Sequence, residues 1–216
     1  MINIIITDDH QIVIEGIASL LEGKKGIQVL ATATSGKELL EQLHRLEVNL
    51  VVLDIQMPDM DGIEATKQIK EKFPNVEVLI LSMFNQSSYI DAVLEAGASG
   101  YVLKNKGSKD LVAAIQAIVA GEDYFSPEVI QTMVEAKRKP IAKTGTGIEV
   151  KLTPREIEVM EFIADGLTSP EIATKLFRQT STIEAHRRSL LEKLGLKNSF
   201  MLVRYAVENG FVKEKE

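Results

Sequence analysis

Four apolar runs in the first half of the chain end on residues that can do chemistry. Ile4-Ile5-Ile6 leads through Thr7 into Asp8-Asp9, and Leu50-Val51-Val52-Leu53 ends on Asp54. Val78-Leu79-Ile80-Leu81 ends on Ser82, and Tyr101-Val102-Leu103 ends on Lys104. Clustered carboxylates repel one another unless a hard cation holds them, and oxygen ligands beside a phosphate suit Mg²⁺. With Mg²⁺ in place, Asp54 can attack a phosphoryl group in line and become an aspartyl phosphate. Lys104 would neutralise the charge that arrives, and Ser82 would donate a hydrogen bond to it. Taken singly, each residue has a plainer use: a strand-end Asp caps a helix, a Ser closes a turn, a Lys is solvated. Five such residues at four matched strand ends favour a site.

The elements that must position them can be read from the pattern. Strand-like runs fall over residues 2–7, 27–31, 50–53, 76–81 and 100–103. Helix-like stretches lie between and after them, over 10–22, 36–46, 62–72, 86–96 and 108–120. Continuous Ile/Val/Leu runs mark strands covered on both faces. Strict alternation with helices implies a parallel, doubly wound sheet of five strands. In such a sheet the site lies at the C-terminal ends of the strands, where Asp8, Asp9, Asp54, Ser82 and Lys104 all fall. Pro58 and Asp61-Gly62 break the chain just after Asp54 and free backbone groups beside its carboxylate.

Length and composition bound the rest. A chain of 216 residues is comfortable for two domains. It is 45% hydrophobic and 26% charged, as soluble globular proteins are. No cysteine excludes a disulfide frame and a thiolate metal site and fits a reducing, cytoplasmic setting. The N-terminus lacks a basic n-region, and the apolar-rich stretch over 111–120 is far short of a membrane span. The formal net charge of −6 is uneven: the first 133 residues are acidic and the rest mildly basic. That asymmetry suggests different partners for the two halves.

Residues 1 to about 125 resemble the receiver domain of two-component response regulators. The resemblance rests on Asp8-Asp9, LDIQMPDMDG at 53–62, LSMF at 81–84 and GYVLK at 100–104. It implies that Asp54 is the phospho-acceptor, supplied by a partner sensor histidine kinase. It implies Mg²⁺ held by Asp9, Asp54 and the backbone carbonyl of Gln56, with Asp8 assisting. Ser82 and Lys104 take the switch hydroxyl and lysine roles. Tyr101 matches the aromatic whose rotamer reports phosphorylation in that family; it also reads as an aromatic packed on the fourth helix.

The back half is helical. Ser126-Pro127-Glu128 starts a helix, and KTGTG at 143–147 reads as a tether, with the KRK run before it as solvated charge. Thr153-Pro154-Arg155-Glu156 is a capping box for a helix to about residue 164. Further helices follow over 169–176, 180–194 and 198 to about 209, which is helix-turn-helix spacing. LTPREIEVM, IADGLTSPEIATKL, TIEAHRRSLLEKLG and RYAVENG resemble the LuxR-type DNA-binding domain of NarL/FixJ response regulators. The expected layout is a receiver over 1–125, a helix and linker over 126–150, and a LuxR-type domain over 151–216. In fold terms it is a flavodoxin-like α/β sheet followed by a small all-α, four-helix domain.

On the third helix of that domain, Ile183, Leu190 and Leu194 point to the core. Thr180, Ser181, Thr182, Glu184, Ala185 and Arg188 are the candidate contacts to promoter DNA, Arg188 foremost. Glu184 stands where many relatives carry Lys, and Glu repels phosphate. Arg187 is expected to be structural, its head paired with a carboxylate such as Glu156. On the fourth helix Phe200, Val203 and Val207 form a second apolar stripe, expected to be wet in a monomer and to pair two chains on activation. The resulting function is a regulator that binds double-stranded DNA as a homodimer under control of Asp54 phosphorylation, with RNA polymerase a further candidate partner. It would be no enzyme beyond taking and losing its own phosphoryl group. A haloacid-dehalogenase-like phosphatase also uses a strand-end Asp, but wants a second Asp two residues later, where this chain has Gln56.

Overall fold

The structure is a computed structural model that describes residues 1–105, 108–137, 152–196, 199–209 and 211. The tether read at 143–147 and most of the basic run before it lie outside the described residues. Two compact units divide the chain, Met1–Phe125 and Ser126–Glu216.

The first unit alternates β1 (Ile2–Thr7), α1 (Gln11–Leu21), β2 (Ile27–Ala33), α2 (Gly36–Leu43), β3 (Leu50–Leu53) and α3 (Gly62–Lys72). It continues through β4 (Glu77–Ser82), α4 (Ser87–Glu95), β5 (Gly100–Leu103), α5 (Ser108–Val119) and β6 (Tyr124–Phe125). The strand order is β2-β1-β3-β4-β5-β6, parallel throughout. The sheet therefore has the five expected strands and a sixth that the sequence did not announce. Two residues have no period to read; β6 exists because Gly100 pairs with Tyr124 and Tyr101 with Phe125.

The period-2 geometry of β1 and β3 buries both faces. Ile4, Ile6, Leu50 and Val52 join Ile14, Ile17 and Leu21 of α1 and Leu111, Ile115 and Ile118 of α5 in one cluster. The alternate residues Ile5, Val51 and Ile80 are also fully buried. Side chains start the helices on the other face: Ser35 accepts from the Glu38 amide, and Asp61 accepts from the Glu64 amide at 2.8 Å. Central β3, buried at every position, thus ends at Leu53 and hands Asp54 to the carboxyl edge.

The second unit contains α6 (Pro127–Lys137), α7 (Pro154–Ala164), α8 (Ser169–Lys175), α9 (Thr180–Leu194) and α10 (Ser199–Glu208). Capping boxes start α7 and α8, and Gly195 closes α9 in the left-handed conformation at φ 63. Val159, Met160, Ile172, Ile183, Leu190, Leu202 and Ala206 form its interior, each 0% exposed. Helix α6 belongs to this unit and packs on α10. Among the described residues, no helix is long and apolar enough to cross a membrane.

Candidate functional site

The strand ends bring the expected residues together. Lys104 Nζ lies 2.6 Å from Asp8 Oδ2 and 3.2 Å from Asp54 Oδ2, so one ammonium serves two carboxylates. Asp8 is 1% exposed and Asp54 6%. Burial raises the Asp54 pKa above its ordinary value; Lys104 opposes the rise and the Asp8 charge adds to it. The Asp54 amide donates to the Thr7 carbonyl at 2.9 Å, and the Lys104 amide to the Ser82 carbonyl at 2.8 Å. Each bond ties one pair of strand ends together, β3 to β1 and β5 to β4.

The loop after Asp54 is packed against it. The Gly62 amide donates to the Ile55 carbonyl at 2.8 Å. A β-carbon on Gly62 would collide with the Asp54 carbonyl oxygen and come within 2.8 Å of the Ile55 α-carbon, so only glycine fits this approach. Above the loop opens a cavity of about 670 Å³, lined among others by Asp9, Asp54, Gln56, Phe84 and Lys104. Hard oxygen donors on an open cavity, the Asp9 and Asp54 carboxylates among them, fit a divalent cation with room for a phosphoryl group.

Asp8, Ser82 and Tyr101 lie under this cavity and do not line it. Ser82 Oγ accepts from the Phe84 amide at 3.3 Å, and the Tyr101 hydroxyl donates to the Phe84 carbonyl at 2.7 Å. Burial is the main reason the Tyr101 phenol is pushed up to about 12, against a hydrogen bond with Ser82 and alongside the Asp54 charge. The phenol is a donor at any working pH.

In the second unit, α8, the turn at 176–179 and α9 present a helix-turn-helix. Ser181, Thr182, Ala185 and Arg188 are exposed, and Thr180 and Glu184 half-buried, so all six candidate contacts are at least partly accessible. The core side holds Ile183 and Leu190 as expected, with Leu194 half-buried. Phe177 in the turn is 93% exposed with φ 50.

A response regulator receiver domain model matches residues 4–116, and a model of bacterial regulatory proteins of the luxR family matches residues 150–206. The chain belongs to the LuxR-type response regulators. Transcriptional regulatory protein LnrK of Bacillus subtilis (strain 168) is 39% identical over 216 residues, covering 97% of this chain and 98% of LnrK. A Salmonella typhimurium RcsB response regulator structure superposes at TM-score 0.60 with 32% identity, covering 94% of this chain and 97% of RcsB. A structure of an RcsB–DNA complex matches at TM-score 0.59 and 32% identity, covering 96% and 98%. This response regulator is accordingly a transcription regulator with a receiver and a LuxR-type DNA-binding domain.

Two expectations for the regulator's second unit need correcting. Val203 is 2% exposed, so it is no part of a wet stripe. Both α6 and α7 pack on α10, and α6 stands outside the four helices that the sequence pattern gives this domain. Val207 is half-buried, and the Phe200 side chain lies outside the described residues. Nor does Arg187 take Glu156: its Nη2 donates to the Leu167 carbonyl at 3.2 Å. Glu156 instead accepts from Lys193 Nζ at 2.8 Å and Ser189 Oγ at 3.0 Å, one turn apart on α9. Sequence reasoning also passed over His10, which lines the cavity beside Asp9; its position directly after the aspartate pair was the available signal.

Proposed function

We propose that Asp54 is the phosphoryl acceptor of this regulator and that its modification by a partner sensor histidine kinase controls promoter binding. The observation that supports this is the Asp54 carboxylate at the end of the central strand, opening on the cavity with Lys104 Nζ 3.2 Å away. An Asp54 oxygen attacks phosphorus in line, and the bond to the donor imidazole nitrogen breaks as the new P–O bond forms. Mg²⁺, held by Asp9, Asp54 and the Gln56 carbonyl, would neutralise phosphoryl oxygens. Lys104, already between the carboxylates, holds positive charge where negative charge builds up. The Ser82 hydroxyl keeps its proton to donate to the new phosphoryl group while its oxygen accepts from the Phe84 amide.

In the second unit, α9 enters the major groove with Arg188 toward base edges or phosphate. Thr180, Ser181, Thr182 and Ala185 lie along the backbone. One such unit reads one half-site, so the binding species is taken to be a homodimer. The test is the intact mass of the full chain after treatment with acetyl phosphate and Mg²⁺. One added phosphoryl group, absent in Asp54→Ala, is the expected result; full labelling of that variant would overturn the assignment.

A further inference from the structure

His10 occupies the N-cap of α1, where a side chain ordinarily accepts from the first helix amides, but its imidazole makes no such bond. Nδ1 instead lies 2.7 Å from Asp9 Oδ1 and 3.3 Å from Asp8 Oδ1. Asp8 is already engaged on both oxygens. Its Oδ1 accepts from the His10 amide at 3.0 Å and its Oδ2 takes Lys104 at 2.6 Å. It is also absent from the cavity wall, whereas His10 is part of that wall together with Asp9, Asp54 and Gln56.

Two donors in adjacent positions on one octahedral cation, each roughly 2.1 Å from it, lie roughly 3 Å apart. The 2.7 Å separation of His10 Nδ1 from Asp9 Oδ1 is close to that value. A neutral imidazole is a ready ligand through either ring nitrogen. We propose that His10 is a ligand of the divalent cation at this site, in the place otherwise left to Asp8. The resulting nitrogen–oxygen set favours first-row transition ions, Mn²⁺ included, over Mg²⁺. Imidazole adds affinity for transition ions, whereas Mg²⁺ gains little over water or carboxylate. The inference rests on the cation-dependent reading of Asp54.

The test uses the full chain loaded with Mn²⁺ and pulsed electron paramagnetic resonance. Modulation from a directly bound imidazole nitrogen is expected in the parent and absent in His10→Ala. Mn²⁺ affinity should fall about tenfold or more in that variant, and Mg²⁺ affinity much less. A parent that binds Mn²⁺ without nitrogen modulation, or a signal that survives in His10→Ala, overturns the proposal. Asp9→Asn separates the two levels. If Mn²⁺ binding is lost there while the parent shows no nitrogen signal, only the His10 assignment falls. If Mn²⁺ binding survives in Asp9→Asn, the cation site itself is misplaced and both readings fall.

Discussion

Tyr101 and Ser82 hold the two ends of one peptide segment: the Tyr101 hydroxyl donates to the Phe84 carbonyl at 2.7 Å, and the Phe84 amide donates to Ser82 Oγ at 3.3 Å. Removing the phenol leaves a part-buried carbonyl without that donor, which costs about 1–3 kcal/mol. Tyr101→Phe should therefore lower receiver stability by about that amount and speed hydrogen exchange at the Phe84 amide. Ser82→Ala should speed the same amide, because it removes the acceptor. Unchanged exchange in both cases would show that residues 82–84 are held by something else.

Asp54 carries a pH signature. Its folded pKa is raised above the ordinary 3.8, chiefly by burial. Ionisation is therefore less favourable in the folded than in the unfolded chain. The stabilising contribution is full below 3.8 and is lost as pH rises through the folded value. Asp54→Asn should melt higher than the parent at neutral pH, and the difference should shrink as pH falls toward 3.8. Saturating Mg²⁺ should raise the melting temperature of the parent more than that of the variant. A variant less stable than the parent at pH 7 would show that the Lys104 pairing outweighs burial.

Glu156 has the opposite sign. Burial alone would raise it, but Lys193, the Thr153 amide and hydroxyl, and Ser189 together hold it down to about 2. Its stabilisation is present above the ordinary 4.5 and is lost as pH falls from there toward about 2. Lys193 is 39% exposed, so water screens its share. Glu156→Gln should cost the second unit about 1–3 kcal/mol at neutral pH. The gap should close in acid, which calorimetry of the full chain at pH 7 and pH 3 can follow.

Burial at α10 separates a packing variant from a binding variant. Val203→Asp would place an unpaired charge at a site 2% exposed, so it should unfold the second unit rather than report on assembly. Arg188→Ala, on the exposed face of α9, should leave folding intact and weaken operator binding by about 1–3 kcal/mol if it reads a base. If it contacts phosphate instead, binding weakens uniformly across sequences and the salt slope falls by about one. Circular dichroism with gel-shift titration distinguishes these outcomes.

Much of this site was legible because its signals are local. An apolar run that stops on a carboxylate delivers that carboxylate to a strand end, and Asp8, Asp54, Ser82 and Lys104 needed no more than this. A Thr or Asp three residues before a Glu marks a helix start, as at Thr153 and Thr168. What escaped depended on partners distant in sequence. Glu156 chose Lys193 over Arg187 because the crossing of α7 and α9 puts Ser189 and Lys193 against it, and no wheel drawn on one helix contains that crossing. Val203 looked wet because nothing in α10 records that α6 and α7 both pack on that helix. Tyr124-Phe125 became a strand only because β5 offered a free edge.

That short sixth strand fixes where the chain can be recombined. Phe125 pairs with Tyr101, and the next residue, Ser126, accepts the first amide bonds of α6. A hybrid regulator joined before Tyr124 would strip β5 of the strand that pairs with it at Gly100 and Tyr101, whereas one joined after α6 would take from α10 the helix that packs on it. The peptide between Phe125 and Ser126 leaves both pairings whole, and is the natural seam for exchanging output modules between sensors.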